Sequence, residues 1–132
     1  MRPHLAVTAV LAACLITSVA YAQADKVNVT FESFAASGVT GSASLNPMPN
    51  GEVLIHAQLK GLEPNAEYVV FIYDQSLTCG EGTSSAQILT FTANPAGIAN
   101  WNERVARELP TIDSIGIRIQ STSSLVACAT VQ

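Results

Sequence analysis

Few side chains here have the chemistry for catalysis or metal binding, and their spacing does not gather them. Beyond the first two dozen residues there is one histidine, His56, and two cysteines, Cys79 and Cys128. A copper or zinc site needs several imidazole, thiolate or carboxylate donors, and acid/base catalysis needs a titratable group within reach of a reacting partner. Asp74 and Glu81 are acid/base candidates by type, but the sequence sets no titratable partner or nucleophile beside either, so both read as solvated loop residues. His56 stands with Gln58 and Lys60 on the polar side of an alternating run, facing solvent, which leaves no Ser-His-Asp constellation. Met48, His56 or reduced thiols would be the donors of a metal-delivery or metal-sensing role, and they are too few for it. Trp101, Asn100 and Asn102 form a candidate contact for a glycan or protein partner. If Ala99 faces inward, so does Trp101, and large aromatics usually bury most of their surface. Asn28-Val29-Thr30 matches a glycosylation sequon, but inside a strand it carries no weight.

The N-terminus bears on the oxidation state of the cysteines. Arg2 gives a short basic start, Leu5 to Val19 is a weakly polar to apolar stretch, and Ala20-Tyr21-Ala22 offers small residues for cleavage. Residues 1–22 therefore read as a signal peptide, cut after Ala22 or, as second choice, after Ala24. The stretch is shorter than a spanning helix needs, and nothing basic follows it, so no membrane span is expected. Leu11-Ala12-Ala13-Cys14 has the form of a lipoprotein box, the alternative in which cleavage precedes Cys14 and a lipid anchors the chain to the envelope. Either route leads out of the cytoplasm, to the periplasm or the extracellular space. There a free thiol pair tends to oxidise, and a Cys79–Cys128 disulfide would close a loop of roughly 50 residues and add on the order of 4 kcal/mol. A redox or metal-binding thiol pair would want a Cys-x-x-Cys spacing or histidine neighbours, and has neither.

Export leaves residues 23–132, enough for one domain and too few for two. The chain carries a net charge of −4, which becomes −5 once Arg2 is removed. The remaining basic residues, Lys26, Lys60, Arg104, Arg107 and Arg118, are scattered, so nucleic acid and anionic membrane surfaces are disfavoured as partners.

The elements that must position these residues are strands, because period-two alternation dominates. Val27, Val29 and Phe31 mark a first strand, and Val39, Ala43 and Leu45 one face of a second. Asn46 to Gly51 is a dense turn signal ending in Asn-Gly. A third strand, Glu52 to Lys60, turns Val53, Ile55, Ala57 and Leu59 inward. The fourth, Tyr68 to Tyr73, is apolar on both faces and so is expected to be covered on both. A polar loop over 74–85, strands at 87–93, 98–105, 112–120 and 125–131, and one helical turn over 106–109 before Pro110 complete the reading. About eight short antiparallel strands with polar turns predict an all-β Greek-key β-sandwich or flattened barrel.

Three stretches carry a family resemblance. Gly38-Val39-Thr40-Gly41, Gly61-Leu62-Glu63-Pro64-Asn65, and Ser114 to Ile119 with Leu125-Val126-Ala127-Cys128 together resemble the copper/zinc superoxide dismutase family, over nearly the whole exported part. The resemblance implies an immunoglobulin-like sandwich, with a disulfide from the loop after the fourth strand to the last strand, where Cys79 and Cys128 fall. It also implies metal-ligand histidines in the fourth strand, but the corresponding positions are Val70 and Ile72, or Phe71 and Tyr73. Leu125 stands where the family has its active-site arginine. No catalytic residue, cofactor or metal ligand is therefore assigned, and dismutase activity is disfavoured. The expectation is an exported, metal-free sandwich that binds a partner or serves a structural role. The alternatives are a dismutase-family enzyme, resting on resemblance alone, and an extracytoplasmic metal-handling protein.

Overall fold

A computed structural model describes residues 25–74, 78–80 and 84–131. The proposed signal peptide, Cys14 and Glu81 lie outside the described residues. Eight strands run in the order β1 (Val27–Ser33), β2 (Thr40–Pro47), β3 (Val53–Lys60), β4 (Glu67–Asp74), β5 (Ser84–Thr92), β6 (Ala99–Val105), β7 (Ser114–Ile119) and β8 (Leu125–Thr130). All pair antiparallel in one sheet, β5-β4-β7-β8-β1-β2-β3-β6. The sheet curls until its end strands β5 and β6 lie alongside each other, giving an all-β, nearly closed barrel. Phe91 and Trp101 stack across that seam with ring centroids 6.4 Å apart.

Alternation builds the barrel. In β3, Val53, Ile55, Ala57 and Leu59 are buried while His56, Gln58 and Lys60 are exposed, as a half-buried strand requires. Ile72, Ile115 and Ile117 on the opposite wall are also fully buried, and each such side chain contributes about 1.5–3 kcal/mol of apolar burial. β1 serves both walls: Val27 to Phe31 pair with β2, and Glu32 and Ser33 change partner to Cys128 and Ala127 of β8, which joins the two walls. Gly61 turns the chain from β3 toward β4. Its φ of +75° favours glycine, and a Cβ there would come within 2.2 Å of the Gly38 carbonyl oxygen.

Two local expectations are corrected. The polar loop expected to reach residue 85 gives way at Ser84, where β5 begins and pairs with Asp74. Ladder hydrogen bonds along β4 extend the strand over residues whose composition reads as loop. The helical turn expected before Pro110 is instead a 3-10 turn, Leu109–Thr111, that includes the proline. The first turn of a helix needs no donor from its early residues, so Pro110 fits inside it.

Candidate functional site

The two outer faces of the barrel differ: His56, Asn100 and Asn102 lie on one, and Cys128 lies on the other. Outside β4, β7 and β8, cross-strand register aligns Phe71 with Gly116 and Cys128, and Tyr73 with Ser114 and Thr130. Val69, Tyr73, Ser114, Leu125 and Cys128 are buried there, although they point away from the core. Residues 78–80, after β4, lie against Cys128, Ser114 and Leu125. A Cys79–Cys128 disulfide holds this segment down, with the two Cα atoms 5.9 Å apart. The Gly80 N–H donates to Ser114 Oγ at 3.5 Å, and the Leu125 side chain fills the space beside Gly80.

Arg118 makes three hydrogen bonds on this face, one of them to the segment after β4. Its Nε donates to the Tyr73 hydroxyl at 3.0 Å, Nη1 to the Ser123 carbonyl at 2.8 Å and Nη2 to the Gly80 carbonyl at 3.1 Å. Phe71 lies beside Tyr73, ring centroids 6.3 Å apart. Gly116 makes room for this packing, since a Cβ there would fall 2.7 Å from Tyr73 Cε2.

These residues do not fit a copper or zinc ion. Val70 and Ile72 face the core, and Phe71 and Tyr73 take the outward positions. The Tyr73 and Ser114 hydroxyls are neutral, Glu32 is a single carboxylate beside Cys128, the sulfurs are joined to each other, and a guanidinium sits beside the tyrosine hydroxyl. His56 is on the other wall, Met48 lies in the β2–β3 turn, and the cysteines are paired elsewhere, so the fold does not bring these donors together. Among the described residues, no group of three or more His, Cys, Asp or Glu could hold a metal ion. Asp74 forms an ion pair with Arg107, which ties the end of β4 to the connection after β6.

The outer face of β1, β2, β3 and β6 is open. Register aligns two polar rows across it: Asn28, Ser44, His56 and Asn102, then Thr30, Ser42, Gln58 and Asn100. All eight are exposed except the half-buried Ser44, and none is a formally charged residue type at neutral pH. Apart from Ser44, which accepts from Asn46 Nδ2 at 3.4 Å, none of these side chains hydrogen-bonds to another described residue. Two shallow depressions mark the face. One, of about 560 Å³, is bordered by Gln58, Asn100 and the exposed Ile98, and the other, of about 320 Å³, by Asn28, Ser44 and His56.

Trp101 is on the inner side of β6 and 7% exposed, so only its neighbours Asn100 and Asn102 are presented outward. Its indole Nε1 is buried without a hydrogen-bond partner among the described residues. Reading single strands singles out the two asparagines but misses the other six members of the rows. Their common signal, uncharged polar residues at alternate positions, becomes a surface only once register is known. The Tyr73–Arg118–Gly80 fastening has no sequence signal at all.

Among the described residues no helix is long and apolar enough to cross a membrane. In comparisons with known proteins, no family model matches the chain, and no curated protein matches it.

Proposed function

We propose that this chain is an exported, metal-free β-sandwich of the copper/zinc superoxide dismutase type that works by binding through its open polar face. The observation that carries the reading is that Phe71, Tyr73 and Arg118 pack the face where the resemblance puts metal ligands. The Cys79–Cys128 link between the segment after β4 and β8 supports the family likeness. Residues 1–22, read as a signal peptide, support export, with domain 23–132 as the exported part. An exported protein also meets the oxidising conditions that a structural disulfide requires. Asn100 and Asn102 belong to the proposed contact surface, and Trp101 supports it from behind.

Incubation with copper and zinc, removal of loosely held metal and a superoxide dismutation assay test the non-catalytic reading. The expected rate is that of the same buffer without protein. Turnover well above free copper would overturn it.

A further inference from the structure

We propose that the groove beside the Cys79–Cys128 disulfide is where a thiol reaches that bond, and that the Glu32 carboxylate selects the thiol by charge, turning anionic ones away. The groove, of about 340 Å³, is bordered by both cysteines, Glu32, Phe34, Thr78 and Thr130. Cys128 is 5% exposed while Cys79 is half-buried, so Cys79 Sγ is the sulfur that an incoming thiolate meets. Phe34, exposed at the rim, offers apolar surface to the carbon skeleton of the thiol.

Register puts the carboxylate on this route. Glu32 of β1 is the antiparallel partner of Cys128 of β8, and opposite residues of such a pair send their side chains to the same face, with Cβ atoms about 4.5–5.5 Å apart. Glu32 is exposed and is the one charged residue among the described residues that line the groove. Arg118 hydrogen-bonds to Gly80, next to Cys79, but also to Tyr73 and Ser123, and it does not line the groove. A thiolate entering there meets a like charge and no counter-charge in these walls.

Exchange begins when a thiolate attacks a disulfide sulfur. The incoming sulfur bonds to Cys79 Sγ as the Sγ–Sγ bond breaks, and Cys128 leaves as a thiolate that takes a proton from water. A second thiol then displaces the first from Cys79. The protein now holds two thiols, and the two reagent thiols have been oxidised to their disulfide. A unit charge about 6 Å from the attacked sulfur, in water, changes the rate for a singly charged thiolate about threefold, and salt removes the effect. The staple therefore resists anionic thiols and opens more readily to those that carry an ammonium group.

The test is the rate of disulfide reduction in the folded, disulfide-bonded protein, expressed per thiolate, at low and at high salt. The probes are glutathione, which is anionic, and cysteamine, whose ammonium group offsets its thiolate. Glu32→Gln should speed glutathione about threefold at low salt and leave cysteamine nearly unchanged. High salt should erase the difference between variant and parent. Thr130→Lys, which adds a cation to the same groove at an exposed position, should also speed glutathione, and it serves if Glu32→Gln does not fold. Alkylation during the reaction with glutathione should trap the mixed disulfide on Cys79, with Cys128 alkylated.

Equal acceleration of both probes by Glu32→Gln would mean that the variant loosens the fold, and would overturn the charge selection. No acceleration of glutathione at low salt by either variant would do the same. Glutathione trapped on Cys128, or a rate independent of thiol concentration because unfolding limits it, would overturn the groove as the route.

Discussion

On the β1-β2-β3-β6 side the outward side chains are mostly polar or charged, with amides, hydroxyls and an imidazole in the middle and Lys60 and Arg104 at the margins. On the β4-β7-β8 side they include Val69, Phe71, Tyr73 and Leu125, with residues 78–80 linked to this face through Cys128, Ser114 and Arg118. Both walls close over one core, so the core does not explain the contrast. What differs is the cover: wherever a segment is held across a sheet, the outward positions become a second interior and can be apolar. Where none is held, the outward positions are mostly polar, Leu54 being half-buried among them, because an exposed apolar patch would invite association. The covered face thus stabilises the fold, and the open face is the one proposed to meet a partner.

The largest effect should come from uncovering the closed face. Replacing both cysteines with serine, Cys79→Ser and Cys128→Ser, removes a cross-link between residues 49 positions apart. It should cost about 4 kcal/mol in urea denaturation, and dye binding should report newly exposed apolar surface. If stability is unchanged, the disulfide is not what holds the cover.

A smaller loss is expected from Gly116→Val. The added side chain meets the Tyr73 ring and Leu125, and overpacking of this kind costs about 1–3 kcal/mol. Thermal melting of the variant with the disulfide intact checks it. No shift would mean that the Tyr73 ring is not packed against β7.

The smallest effect belongs to the open face. Asn102→Ala removes an exposed amide with no protein partner and should change stability by no more than about 0.5 kcal/mol. A melting loss comparable to that of Gly116→Val would erase the distinction between the two faces.

Much of this contrast is legible in the residues. The alternation in β3 separates Val53, Ile55, Ala57 and Leu59 from His56, Gln58 and Lys60, and the double-sided apolar run in β4 announces a strand covered twice. The two cysteines announce the staple. What stays hidden depends on register and on contacts between distant strands. Asn28 and Asn102 are 74 positions apart in the chain, and only the β1-β2-β3-β6 ladder sets them in one row. Arg118 looks like one scattered cation until β7 places it beside Tyr73 and Gly80. Ser84 reads as loop because strand formation there follows from pairing with Asp74.

The most direct test of the central claim is the intact mass, under native conditions, of the mature protein isolated after expression of the full sequence in cells supplied with copper and zinc. The account predicts a chain beginning at Gln23, lighter by two hydrogens for the Cys79–Cys128 bond and carrying neither metal. One copper or zinc ion per chain would contradict it.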